Sequence, residues 1–210
     1  EDTRINVKLK SGQETEINAP GPKVTHAQFE QLLSQIRRTT NDDIVIVAGS
    51  VPNSIPSDAY AQIAQITEKT GAQLVVDAEK DLVETVLPYR PLFIKPNKDE
   101  LEVMFNTTVK SDEDVIKYGK EILKKGAQSV IISLGGDGAI YVDQHQSIKA
   151  VNPQGHVVNT VGSGDSTVAG MVAGLSMGLN IDEAFQQAVA SGTATAFSED
   201  LATRDAIEKI

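Results

Sequence analysis

The chain contains no cysteine. Disulfide staples, thiolate catalysis and cysteine-ligated metals are therefore excluded, and the absence is compatible with a cytoplasmic protein. No apolar run approaches the roughly 20 residues that cross a bilayer as a helix, so no membrane partner is expected. Positive charge is scarce: 19 Lys and Arg stand against 29 Asp and Glu, a formal net charge of -10. Such a surface repels a phosphate backbone, so nucleic acid is not an expected partner. A small anion differs, because local backbone N–H groups bind it without any net positive charge. The three histidines, His26, His145 and His156, show no metal-ligand spacing and read as surface residues. Internal repeats and low-complexity segments are also missing.

What is present is an ordinary globular composition, 40% hydrophobic and 23% charged over 210 residues. That length buries a sizeable core without staples, and one domain is the leading expectation. The opening segment alternates Ile5, Val7 and Leu9 with polar residues, as a half-buried strand does. Ser11-Gly12 turns the chain, and residues 14–17 return as a second short strand. This hairpin differs in character from the rest of the chain and is expected to form a small sheet of its own, within residues 1–22. From Thr25 the period becomes helical, with Phe29, Leu32, Leu33 and Ile36 on one face and Thr25/Gln28 as a capping box. Apolar runs at 44–48, 73–77, 92–94, 129–134 and 139–142 read as strands. The run 44–48 has the continuous apolar character of a strand buried on both faces. Helices are expected over 57–70, 98–105, 111–125, 163–178 and 181–197; the charged face of residues 115–125 is most simply solvated. This alternation predicts an α/β fold for residues 23–210, with a mostly parallel sheet covered by helices on both faces.

In open sheets of this type ligands bind beyond the carboxyl ends of the strands. Attention falls on Gly49-Ser50, Asp77, Lys95–Asn97, Leu134–Gly138 and Gly162–Asp165. The run Asn159-Thr160-Val161-Gly162-Ser163-Gly164-Asp165-Ser166 combines backbone freedom with a helix N-terminus, a cradle for a phosphate or for charge developing in phosphoryl transfer. Asp165 at that cradle can accept a proton; the plain alternative is a helix-capping carboxylate. The run is neither a Walker A loop, lacking Gly-Lys-Ser/Thr, nor a dinucleotide fingerprint. Ser133-Leu134-Gly135-Gly136-Asp137-Gly138 is either a tight hairpin turn or a flat wall against a nucleotide. In Lys95-Pro96-Asn97-Lys98-Asp99-Glu100, Asn97 and Glu100 form a capping box or place a carboxylate near magnesium through water. Arg4 is either a solvated charge or a fork for a sugar phosphate.

Four of these segments, in order and in register, resemble the ribokinase-like (pfkB) family of carbohydrate kinases: Thr160–Asp165, with Ser163 where Ala is usual; Asn97–Glu100 after Lys95-Pro96; Ser133–Gly138; and Gly49-Ser50-Val51-Pro52. The resemblance covers nearly the whole chain and implies a three-layer αβα sandwich with a remnant of a small β lid. It implies Asp165 as catalytic base and Gly162, Ser163 and Gly164 as an anion hole. Lys95, Asn97, Gly164 and Ser133, Leu134, Gly135, Gly136, Asp137 and Gly138 would contact ATP. Arg4 and Ser50 would hold a phosphosugar, together with Asp165. Glu100 would position Mg2+ through water, and some members of the family also use a monovalent cation. The Thr-Arg-x-Asn strand, Ala19-Pro20-Gly21-Pro22 and Leu201–Arg204 resemble the phosphosugar branch, which implies fructose 1-phosphate as acceptor, with tagatose 6-phosphate or fructose 6-phosphate as alternatives. A homodimer through the lid is the implied partner. Strands that precede this region in family members, with a sugar-binding Asp, have no match here, and the chain stops short of the usual end. It is therefore read as an N-terminally truncated fragment and a poor catalyst alone, with exposed sheet edge and apolar surface; a non-catalytic nucleotide-binding module is the other reading.

Overall fold

The computed structural model describes residues 3–11, 13–19 and 21–210, without the side chains of 8–16. Two antiparallel strands, β1 (Asn6–Ser11) and β2 (Gln13–Asn18), form a small separate sheet in the register Asn6↔Asn18. Their apolar alternation signals burial, yet Ile5, Val7 and Ile17 are 64%, 43% and 56% exposed. The hairpin is a sheet apart, and no described element covers that face.

Beyond the hairpin, strands and helices alternate. Helix α1 (His26–Ile36) starts at the Thr25/Gln28 capping box, with both reciprocal bonds formed. Then come β3 (Ile44–Ala48), α2 (Ala59–Thr70), β4 (Gln73–Asp77), α3 (Lys80–Val86), β5 (Phe93–Ile94), α4 (Lys98–Phe105) and α5 (Asp112–Lys125). The hairpin strands β6 (Ser129–Ser133) and β7 (Ala139–Asp143) lead to β8 (Ser147–Ala150), and helices α6 (Ser163–Ser176), α7 (Ile181–Ala196) and α8 (Arg204–Ile207) end the chain. Of these, α3, β8 and α8 carry no sequence expectation; each is short or weakly periodic.

One sheet orders its strands β3-β4-β5-β6-β7-β8. The pairings from β3 to β6 are parallel, and those of β7 and β8 are antiparallel. Successive side chains of a strand point to opposite faces, and the core divides accordingly. Val76, Ile94, Val130, Ile132, Ile140 and Val142 pack under α1 to α5. Val75, Phe93, Ile131, Ala139 and Tyr141 pack under α6 and α7. The α/β three-layer expectation therefore holds. Burying a side chain such as Phe93 or Phe185, both fully enclosed, contributes about 2–3 kcal/mol each.

β3 departs from its apolar text. It is the edge of the sheet, pairing only with β4 among the described residues, and Ile46 is 45% exposed. The apolar run predicts burial on both faces; here no described helix or strand covers this position.

The α6–α7 contact explains the small residues of these helices. A Cβ on Gly170 would lie 2.6 Å from Ser191 Oγ, and one on Gly174 2.8 Å from Ala184 Cα. The backbones approach so closely that only a hydrogen fits. This contact fixes where α6 begins, and hence where the Gly162–Asp165 turn sits.

Candidate active site

The carboxyl edge of the parallel strands gathers the segments singled out in the sequence. Gly49, just after β3, has φ 81, and its N–H donates to Asp77 O at 3.0 Å. Tyr60 Oη donates to the Gly49 carbonyl at 2.8 Å. Burial, with the Asp77 charge adding, pushes the Tyr60 hydroxyl up to about 12, so it stays a donor at neutral pH. Asp77 closes β4, and Lys95 follows β5. Their Oδ2 and Nζ atoms are 3.2 Å apart, with Lys95 only 7% exposed. Further along, Asn97 bridges to Ser133, which joins the ends of β5 and β6.

The start of α6 lies against this ion pair. A Cβ on Gly164 would sit 3.2 Å from Lys95 Nζ and 3.9 Å from Asp77 Oδ2. The glycine thus leaves room for a cation directly at a helix N-terminus, where unpaired N–H groups and the helix dipole already favour an anion. Burial raises the Asp77 pKa; Lys95 opposes this by charge and hydrogen bond, and Asp165 adds to it. The Asp77 and Asp165 charges are therefore close enough to sense each other.

The capping alternative for Asp165 is corrected by the geometry. Gly162 is the cap residue, with φ 80 and no side-chain cap bond, and Asp165 stands in the first turn. Its carboxylate is exposed and makes no hydrogen bond or ion pair with the described residues. Ser163 Oγ is buried without a hydrogen-bond partner among the described residues.

The Asn97/Glu100 pair does form its capping box. Asn97 N–H donates to Glu100 Oε2, and Glu100 N–H donates to Asn97 Oδ1, each at 2.8 Å. Burial raises the Glu100 pKa, opposed by the Asn97 bond and by Lys95, with Asp77 and Glu79 adding to it. One carboxylate oxygen is committed to the cap and the other is not, so structural and water-mediated metal roles are compatible.

Residues 133–138 form the hairpin turn. They turn β6 into β7, with Leu134 N–H donating to Gly138 O at 2.8 Å. Gly138 is required by close approach, since a Cβ there would meet Ala150 O at 2.0 Å. Gly135 and Gly136 instead face open space, a bare backbone surface. Asn152 donates to Gly135 O at 2.9 Å and accepts from Thr193 Oγ1 at 3.0 Å, tying this turn to α7. Beside it, a cavity of about 790 Å³ is lined by Ala150, Val151, Gln187, Ser191 and Arg204, among others.

A second cavity, of about 490 Å³, lies between the hairpin and the Gly49 turn. Arg4 lines it, donating to Asn6 Oδ1 at 2.8 Å and to Ser50 Oγ. Lys23, Asn53 and Ser54 also line it; sequence reading misses all three, because no motif marks them. Topology alone puts Asp77 near the site and gives it no role, and its ion pair is a tertiary fact. The three histidines are exposed and far from metal-site spacing.

No group of three His, Asp or Glu side chains among the described residues could hold a metal ion by itself. Mg2+ keeps waters and binds through one or two carboxylates plus substrate phosphates, and Glu100, with one carboxylate oxygen outside its capping bond, would hold it through water. The cradle at Gly164, which a Cβ would fill, fits a phosphoryl group in the same way.

A doubly covered α/β sheet with a glycine cradle and a lysine at its carboxyl edge suits an anionic ligand. Residues 1–207 match the model described as pfkB family carbohydrate kinase, and the chain belongs to that family. It is 43% identical over 209 residues to a 1-phosphofructokinase of Bacillus subtilis, covering 100% of this chain and 69% of that protein. It is 36% identical over 200 residues to a D-tagatose-1-phosphate kinase of Bacillus licheniformis, covering 95% of this chain and 66% of that protein. A crystal structure from Staphylococcus aureus, described as that of a candidate phosphofructokinase, superposes with TM-score 0.90 at 81% identity, over 100% of this chain and 69% of that one. The chain is thus an α/β sugar-phosphate kinase, a transferase whose family uses ATP. No helix among the described residues is long and apolar enough to cross a membrane.

Proposed function

We propose that this chain carries the nucleotide site, anion hole and catalytic base of a kinase that converts fructose 1-phosphate to fructose 1,6-bisphosphate. The observation that carries this is the meeting of Gly164 with the Lys95–Asp77 pair, beside an Asp165 that makes no bond of its own to the described residues. Asp165 takes the proton of the acceptor hydroxyl as its oxygen bonds to phosphorus and the bond to the ADP oxygen breaks. N–H groups of the 162–164 turn, with Lys95 alongside, stabilise charge on the transferring oxygens. ATP supplies the phosphoryl group; Gly135 and Gly136 offer it a flat wall and Asn97 a polar contact, and the cavity lined by Ala150 and Val151, which Gly138 adjoins, has room of nucleotide size. Glu100 would hold magnesium through water, and the ion would offset charge on the nucleotide phosphates. Arg4 and Ser50 grip the phosphate of the sugar, leaving the far hydroxyl for transfer.

Residues 1–22 act as a lid and 23–210 as the catalytic core. The exposed Ile5, Val7 and Ile17 face supports a homodimer through that lid; sedimentation of the wild type against Ile17→Glu tests it, and an unchanged mass refutes it. A second reading, a tagatose phosphate as acceptor, is favoured by the D-tagatose-1-phosphate kinase relative. The deciding experiment is a coupled ADP-release assay with fructose 1-phosphate, tagatose 1- and 6-phosphate and fructose 6-phosphate. The reading expects the highest kcat/KM for fructose 1-phosphate and a loss of about 10³-fold or more in kcat for Asp165→Asn. If Asp165→Asn retains activity, the base assignment is wrong.

A further inference from the structure

The 490 Å³ cavity under the lid holds a feature that the Arg4 and Ser50 assignment leaves out. Lys23 lines it too, and its ammonium makes no ion pair or hydrogen bond with the described residues. No acidic residue lines this cavity among those described, although acids outnumber bases in the chain, 29 to 19. Two cations and no acid among the described lining residues, against so acidic a background, give this concave surface a local potential that favours an anion.

The position of Lys23 is fixed by its neighbours. Val24 N–H donates to Ser54 Oγ at 2.9 Å, which pins the 23–24 backbone to the loop carrying Ser50. Gly21 lies against Pro52, a Cβ there being 3.7 Å from Pro52 Cγ. Arg4 is held from the other side by Asn6 and Ser50. A phosphate monoester carries about 1.5 to 2 negative charges at neutral pH. One guanidinium leaves it about half neutralised, and a second cation lining the same cavity completes the match.

We propose that Lys23 is a specificity-determining residue of the phosphosugar site, the second cation for the acceptor's existing phosphate. The proposal rests on the reading of this cavity as the acceptor site. It makes the cavity selective for a phosphorylated ketose over the free sugar, and leaves nucleotide binding untouched.

The test is calorimetric titration of the full chain with fructose 1-phosphate, with fructose and with ATP, for wild type, Lys23→Met, Lys23→Arg and Arg4→Met. Methionine keeps the stem and removes the charge. Lys23 is exposed and unpaired among the described residues, so an unchanged thermal midpoint verifies folding. The expected result is about a tenfold weaker Kd for fructose 1-phosphate in Lys23→Met, a shallower salt dependence, recovery in Lys23→Arg, and an unchanged Kd for ATP. If Lys23→Met binds fructose 1-phosphate normally while Arg4→Met does not, the proposal is overturned and the cavity's assignment stands. If neither variant is affected, the acceptor site lies elsewhere and both fall. Weakened ATP binding in Lys23→Met also overturns the proposal, because the cation then serves the nucleotide.

Discussion

Lys95→Met is the perturbation that separates scaffold from chemistry in this site. The substitution leaves the Asp77 carboxylate 18% exposed and without the ammonium that faces it at 3.2 Å. Removing one partner of a fully buried pair costs about 3–5 kcal/mol. Asp77 retains some contact with water, so a loss of about 2–3 kcal/mol is expected at pH 8. For a chain of this length each kcal/mol moves the midpoint by about 2–4 °C, which gives a fall of roughly 4–12 °C. The loss depends on pH in a definite direction. Burial already raises the Asp77 pKa against the pull of Lys95, and without Lys95 it rises further. A carboxyl whose folded pKa lies above its unfolded value binds more protons when folded, so stability recovers as pH falls through the folded pKa. The deficit of Lys95→Met is therefore largest at pH 8 and shrinks toward pH 5. The double variant Asp77→Asn/Lys95→Met has no charge left to bury, and its midpoint returns most of the way to wild type. Its phosphoryl-transfer rate does not return, because the cation at the Gly164 cradle is still missing. Thermal unfolding followed by circular dichroism at pH 5, 6.5 and 8, paired with the ADP-release assay, reads both effects. A pH-independent deficit, or a double variant no more stable than the single one, would show that the Asp77–Lys95 pair does not govern this site as argued.

The same geometry sets three further outcomes. Asp165→Asn leaves the thermal midpoint within about 2 °C, since the carboxylate makes no capping bond and loses only its interaction with the helix dipole, while kcat collapses; a larger loss of stability would return Asp165 to a structural role. Gly170→Ala drives a methyl into Ser191 and the α7 backbone and lowers stability by about 1–3 kcal/mol in urea unfolding; a neutral result would mean that α6 and α7 separate freely. Asn97→Ala removes half of the α4 capping box, costing about 1 kcal/mol, and weakens ATP in isothermal titration. An unchanged ATP affinity with the stability cost intact would leave Asn97 a cap alone.

Much of this architecture is legible in the periodicities of the sequence. The helical faces, the capping boxes at Thr25 and Asn97 and the apolar strand runs can be read there because local propensity and pattern agree with the fold. The strand at 44–48 misleads as a doubly buried one, because an apolar run reports what a strand could cover and not what lies on it. The opening hairpin misleads in the same way, its alternation promising a buried face that Ile5 and Val7 do not have. Helix α3 and strand β8 escape a sequence reading: seven residues and four residues are too few for a period to assert itself.

By itself, the sequence determined which residues could turn, cap, bury and carry charge, and the order in which they come along the chain. Gly162 to Asp165 was recognisable as a flexible turn feeding a helix, and Lys95 as a cation after a strand, from local pattern alone. Only the tertiary structure decided that Lys95 Nζ faces Asp77 and lies at Gly164, that Asp165 caps nothing, and that Lys23 shares a cavity with Arg4. Those are relations between segments far apart in the chain, as Asp77 is from Asp165. They are set by the close α6–α7 packing and the parallel register of the sheet, and chain-local preferences do not encode them.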